Sequence, residues 1–183
     1  MIKNNKGFTL IELMIALVIG GILILGITST YSSIDGTIQT SKDLENAQEV
    51  IRYTSQVFTR SLKQTWDDID IAGDTVAVKQ KANVRPCVGA TPALDNTETF
   101  ALDGSDLKCS VVTTDGNVVE NGTVILTGIA DMTFVVDGTG TLFTVTVLPT
   151  KLPENFNDGV NPAGVNIAIA LNTLILRNAM PGA

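Results

Sequence analysis

The feature that most constrains this chain is an apolar run near its amino terminus. Leu10–Ile27 contains one polar side chain, the carboxyl group of Glu12. A helix of this length and composition fits the hydrocarbon core of a bilayer. A carboxylate in such a helix costs about 2.5–3.5 kcal/mol at the helix centre and less near an end. The sequence therefore predicts a membrane helix whose single acid has a function.

A short basic stretch precedes the apolar run, and its charged residues are Lys3 and Lys6. An ordinary secretory signal places a small-residue cleavage site after its apolar stretch, but no A-x-A-like site follows the run here. The small residue Gly7 lies in front of it instead. Cleavage after Gly7 would retain the helix and make Phe8 the new amino terminus.

Residues 6–13 resemble the class III signal of type IV pilins and type II secretion pseudopilins. The shared pattern is a short basic leader, a glycine, a phenylalanine, a glutamate four residues further on and an apolar helix. The resemblance implies cleavage after Gly7 by a prepilin peptidase, N-methylation of Phe8 and assembly of the helix into a filament core. It also implies that Glu12 meets the positive terminal amine of a neighbouring subunit. The residues alone leave open a simple membrane anchor with Glu12 at the headgroups.

Several further segments resemble one branch of this family. Residues 44–52 and 58–63 resemble the helix of PilW-type minor pilins, while residues 128–134 and 165–177 are similar to the ends of those proteins and of J-type minor pseudopilins. The resemblance implies a minor pilin that primes or caps filament assembly. Its implied partners are other pilin subunits, the prepilin peptidase, the inner membrane and the pilus assembly platform. The alternatives are a minor pseudopilin of a type II secretion system and a tip adhesin that binds through residues 80–106.

The helix is predicted to extend far beyond the apolar run. Side chains three and four residues apart form an amphipathic stripe in its second half, with Thr54 filling one gap; the apolar members are Leu44, Ala47, Ile51, Phe58 and Leu62. We predict one helix from about Phe8 to Gln64, with a possible kink or break at Asp35-Gly36. The predicted segments are a leader (1–7), a transmembrane and filament-core helix (8–31), its amphipathic continuation (32–65) and a β-rich head (66–183).

Alternating polar and apolar residues predict strands in the head. They lie at Thr75–Lys79, Cys109–Thr114, Asn117–Glu120, Thr123–Thr127, Asp131–Val136, Thr141–Leu148 and Val165–Leu176. Asp115-Gly116 and Asn121-Gly122 predict turns, and residues 80–106 are read as a long connection. The predicted fold class is α+β, the type IV pilin fold, with an antiparallel sheet packed on the amphipathic half of the helix. The resemblance places the precursor in the inner membrane as a single-pass protein with a periplasmic head, and the assembled subunit in a surface pilus.

Cys87 and Cys109 both lie in the part predicted to be exported. An oxidising compartment favours a disulfide between them, and the alternative is a pair of buried thiols. Removing Lys3 and Lys6 with the leader takes the net charge from −7 to −9, so bulk electrostatics disfavour binding to nucleic acid.

The sequence contains no histidine, P-loop, nucleophile elbow or metal-spaced cysteine set. We therefore predict no enzyme activity, no cofactor and no metal. An acidic stretch at residues 67–74 partly resembles a calcium loop. However, Lys79 occupies the position where calcium needs a bidentate glutamate.

Overall fold

The computed structural model describes residues 9–152 and 164–171. The chain divides into two compact units, Met1–Lys42 and Asp43–Ala183. The described residues form one helix, α1 (Leu10–Gln64), and eight strands: β1 (Asp70–Ala72), β2 (Thr75–Gln80), β3 (Asn96–Asp103), β4 (Asp106–Thr113), β5 (Val118–Thr127), β6 (Ile129–Val136), β7 (Leu142–Pro149) and β8 (Val165–Ala170).

The first unit consists of the amino-terminal part of α1. An 18-residue stretch of this helix has a mean hydropathy of 2.7, none of it buried in protein, so its length and composition are sufficient to cross a membrane. The helix continues without interruption through Gly20-Gly21 and through Asp35-Gly36. The possible break at Asp35-Gly36 is therefore absent.

Threonine hydroxyls in this part of α1 bond to their own helix. Each donates to the carbonyl oxygen four residues earlier, at distances of 2.8 to 3.0 Å. The four residues are Thr28, Thr30, Thr37 and Thr40. A hydroxyl bonded in this way needs no water or external partner.

The second unit, here called the head, begins with the remainder of α1. The predicted stripe is confirmed at Ala47, Thr54, Phe58 and Leu62, which are buried, while Leu44 and Ile51 are half-buried. The buried face is wider than the stripe, because it also includes Val50, Val57 and Ser61. The buried face is this wide because the helix packs into one apolar core with residues from two sheets.

The strands form two antiparallel meanders. One sheet has the order β1-β2-β3-β4-β5 and the other has the order β6-β7-β8. Gly128 alone separates β5 from β6, and it has a φ of +89°, which favours glycine. The α+β prediction is confirmed, and the long amino-terminal apolar helix with antiparallel sheets is consistent with the type IV pilin fold. The predicted single sheet is replaced by two.

The predicted connection at residues 80–106 is wrong in its second half, where β3 forms the centre of the larger sheet. The Asn121-Gly122 turn is also wrong. These two residues lie inside β5, where the ladder to β4 is irregular and the Gly122 N–H donates to the Ser110 hydroxyl at 2.8 Å. The β4–β5 hairpin itself is confirmed, with a four-residue loop at 114–117 instead of a two-residue turn.

The final strands follow the predicted faces. Phe143, Val145 and Val147 of β7 are buried on one face. Strand β8 ends at Ala170, followed by the buried Leu171. The predicted continuation of this strand to Leu176 lies outside the described residues.

An aromatic cluster forms the centre of the head. Phe58 of α1 is fully buried and its ring lies 4.9 Å from Phe100 of the larger sheet, measured between centroids. It also lies 5.6 Å from Phe134 and 6.2 Å from Phe143, both in the smaller sheet. One helix residue therefore joins both sheets.

Residues 81–95, here called the disulfide loop, connect β2 to β3. A disulfide joins Cys87 in this loop to the fully buried Cys109 of β4. The loop is also closed on itself, since the Asn83 N–H donates to the Pro92 carbonyl at 2.8 Å. Linking residues 22 apart stabilises the fold by about 3 kcal/mol in the chain-entropy estimate.

Candidate functional site

The candidate site is the amino-terminal end of α1, which Thr9 and Glu12 form. The Glu12 N–H lies 3.4 Å from the Thr9 hydroxyl oxygen, and the Leu13 N–H donates to the Thr9 carbonyl at 3.2 Å. Thr9 is thus the N-cap, and Glu12 occupies the third helical position. The T-x-x-E spacing is that of a capping box, in which the threonine and the glutamate satisfy exposed N–H groups of the first turn.

The same position places a negative charge where the helix dipole favours it. Glu12 lies in the first turn of α1, whose unpaired N–H groups carry partial positive charge. This interaction is worth about 0.3–1 kcal/mol at an exposed site in water. It is therefore smaller than the cost of a carboxylate deep in a membrane, so Glu12 in a membrane would still need a full positive charge beside it.

No cation on the described part of the chain supplies that charge. None of the ion pairs between described residues includes Glu12. In the sequence, the first lysine or arginine after Lys6 is Lys42, thirty positions beyond Glu12. At 1.5 Å per helical residue this separation is about 45 Å. The remaining candidates are Lys3 and Lys6, which lie outside the described residues, an amino terminus and a cation on another molecule.

The surface around Glu12 is apolar and uncovered. Leu10, Leu17 and Leu25 have 80%, 69% and 72% of their surfaces exposed. Exposed apolar surface of this extent is rare on soluble monomers and marks contact with lipid or with other proteins. The site therefore combines an exposed apolar helix surface with one acid near the end of the helix.

Residues 2–28 match the prokaryotic N-terminal methylation motif. The match supports a type IV pilin or pseudopilin. Together with the apolar helix it fits a membrane-anchored precursor, and it implies processing by a prepilin peptidase and interaction with other pilins. The family that carries this motif is structural rather than catalytic. A search of curated proteins found no match to the chain.

The residues predicted from the sequence fall in two places. Gly7 and Phe8 lie outside the described residues, and Glu12 lies in the first turn of α1. Cys87 and Cys109 lie in the head, where they form the disulfide described above. The residue that the sequence interpretation missed is Thr9, although the capping-box spacing from Thr9 to Glu12 was visible in the sequence.

The acidic stretch at residues 67–74 contains the short strand β1 and the turn into β2. Asp67 accepts a hydrogen bond from the Lys79 ammonium at 2.7 Å, which raises the pKa of Lys79. Over the described ranges, no three cysteine or carboxylate side chains are grouped to hold a metal ion. The ammonium group of Lys79 thus lies beside Asp67, the first acid of this stretch.

Proposed function

We propose that the chain is a structural subunit of a type IV pilus, and specifically a minor pilin that primes or caps filament assembly. The observation that carries this proposal is the methylation motif at residues 2–28, which contains the exposed apolar helix surface from Leu10 to Ile27. A helix with this surface is stable in lipid or inside a bundle of similar helices.

In the proposed mechanism, residues 1–7 form a leader that the prepilin peptidase removes after Gly7. Phe8 then carries the new amino group, which is N-methylated. Residues 8–31 hold the precursor in the inner membrane with the head in the periplasm. Residues 32–65 connect this anchor to the β-rich part of the chain (66–183). The pilus assembly platform extracts the helix from the membrane and places it in the filament core, so that the subunit becomes part of a surface pilus.

Glu12 is the proposed docking residue. Its carboxylate lies one helical turn beyond Phe8 in sequence, and the described residues give it no cation of their own. A carboxylate in lipid is stabilised by a positive partner. The methylated amino group of a neighbouring subunit is a cation at the same membrane depth. Docking therefore replaces an unfavourable, unpaired carboxylate in lipid with an ion pair in the filament.

Deleting the gene tests the assembly role. A subunit that primes assembly is expected to leave few or no surface pili when it is absent, whereas loss of a tip adhesin would leave pili that fail to attach. Counting filaments by electron microscopy and measuring attachment in the same strain distinguishes the two. Normal numbers of fully adhesive pili would contradict the proposal. If protein secretion stops while pili remain, the chain is a pseudopilin of a type II secretion system.

Substitution of Gly7 tests processing separately. A bulky residue such as leucine at this position is expected to block cleavage and to leave the seven-residue leader, including its two lysines, on the protein. Mass spectrometry of the membrane fraction measures the result directly. The matched control is Gly36→Leu, which changes a glycine outside the proposed recognition segment. A mature mass for the Gly7 variant would show that processing does not occur there.

A further inference from the structure

The head contains a buried carboxyl group that the proposed assembly mechanism does not use. Glu98 of β3 has 1% of its surface exposed and points to the buried face of the strand, between Asn96 and Phe100. Removing a carboxylate from water is costly unless hydrogen bonds or opposite charges compensate. The surroundings of Glu98 therefore need a specific explanation.

Three other segments converge on this carboxyl group. Oε2 of Glu98 accepts a hydrogen bond from the Ser61 hydroxyl of α1, and Oε1 accepts one from the Cys87 N–H at 2.9 Å. The Gln80 side-chain amide of β2 donates to the Ser61 carbonyl at 2.7 Å and to its hydroxyl oxygen at 3.1 Å. We call Ser61, Gln80, Cys87 and Glu98 the Glu98 clasp. It joins α1, the disulfide loop and two strands.

The clasp lies beside buried acceptors that lack donors. Among the described residues, the side-chain oxygens of Gln80 and Asn96 are buried without a hydrogen-bond partner. These two residues are register partners on β2 and β3. An unsatisfied buried polar atom costs about 1–3 kcal/mol. An ionised Glu98 carboxylate adds further acceptors, and no donor, to this buried region.

The charged surroundings of Glu98 are simple. Arg60 of α1 is the charged residue that acts on it, although the Arg60 guanidinium donates to the Pro86 carbonyl at 3.2 Å. Gln80 on β2 and the register partner Val111 on β4 are uncharged, and Cys87 in the loop is held in the disulfide. Burial raises the pKa of Glu98, against the opposing effects of the hydrogen bonds from Ser61 and Cys87 and of the Arg60 charge.

We propose that Glu98 takes up a proton in the folded head as the pH falls from neutral, and that this proton uptake stabilises the folded head relative to the unfolded chain. The nearly complete burial of the carboxyl, the segments that meet on it and the two buried acceptors without donors carry this proposal. The head is then more stable in acidic than in neutral surroundings.

The direction of the pH effect follows from linkage. The pKa of Glu98 in the folded head is above its ordinary value of 4.5, so the folded head binds the proton more tightly than the unfolded chain does. The free energy of unfolding therefore rises as the pH falls from neutral through the folded pKa, and this contribution is complete below 4.5. Each unit of difference between the two pKa values changes the folding equilibrium about tenfold.

The test is denaturant unfolding of the full chain in detergent micelles from about pH 4 to pH 8, a range that runs from the ordinary glutamate pKa to above neutrality. Fluorescence of Trp66, the single tryptophan, follows the head. Glu98→Gln is expected to remove much of the rise in stability on acidification. Glu49→Gln, at an exposed helix position, is expected to keep the wild-type profile. Parallel profiles for wild type and Glu98→Gln would overturn the proposal.

A direct titration covers the case in which Glu98→Gln does not fold. Carbon-13 NMR of the glutamate carboxyls in the wild-type chain is expected to show one head residue that titrates above the others. A Glu12→Gln variant removes the signal of the membrane-segment acid from the comparison. If all remaining glutamates titrate near 4.5, the pKa of Glu98 is not raised in the folded head and the proposal is wrong.

Discussion

Replacement of Glu12 by alanine is expected to reduce incorporation of the subunit into filaments by on the order of a hundredfold, while the protein still accumulates in the membrane. The hundredfold figure is the upper end of the estimate, because the cost of about 2.5–3.5 kcal/mol that pairing in the filament would relieve applies at the centre of a membrane helix, and Glu12 lies near an end. Without the carboxylate, entry into the filament no longer gains an ion pair. Immunoblots of sheared filaments and of the membrane fraction measure the two populations.

Two controls separate the charge of Glu12 from its role at the helix end. Glutamine preserves the capping-box pattern with Thr9 but carries no charge, so Glu12→Gln is expected to fail as Glu12→Ala does. Glu45→Ala removes an exposed acid from the head part of the same helix and is expected to assemble normally. Normal assembly of Glu12→Gln would show that helix capping, and not charge pairing, is the property that matters.

Replacement of Phe58 by alanine is expected to destabilise the head by about 3–5 kcal/mol, the range for large-to-small changes in a core. The side chain is fully buried and touches aromatic rings of both sheets, so its loss leaves a cavity at their junction. Denaturant unfolding of the full chain in micelles, followed by Trp66 fluorescence, measures the change. The assembly proposal does not depend on this result.

Gln56 provides the control for Phe58. It lies two positions away on the same helix and is exposed, so Gln56→Ala is expected to change stability by less than about 0.5 kcal/mol. A small effect of Phe58→Ala would mean that the two sheets do not depend on the helix for their packing. Because alanine has the highest intrinsic helix propensity, neither substitution weakens the helix through propensity.

The elements with regular apolar patterns could be predicted from the sequence. The apolar length of α1, its amphipathic second half and the alternation in β7 each have one simple period. Strand β3 could not be recognised in this way, because two of the residues on its buried face are Asn96 and Glu98. The polarity of Glu98 is compensated by hydrogen bonds from distant segments, and a local pattern does not contain that information.

The site was partly predictable for a related reason. Glu12 is conspicuous because a lone charge in an apolar run is rare. Asn121-Gly122, in contrast, has strong turn chemistry, and pairing with β4 overrides it by placing Gly122 at a φ of +63° inside an irregular strand. Whether Asn121-Gly122 forms a turn or a bulge is decided by tertiary pairing with β4, which the local sequence does not contain. An unpaired charge in an apolar run, in contrast, can be recognised from the local sequence alone.

The threonines that bond back to their own helix have a consequence for neighbouring subunits. Because each hydroxyl already donates to a carbonyl one turn earlier, Thr28 and Thr30 do not need a neighbouring molecule to accept that hydrogen bond. In the proposed filament, the offset between adjacent helices would then be set by charged residues such as Glu12 rather than by these hydroxyl donors.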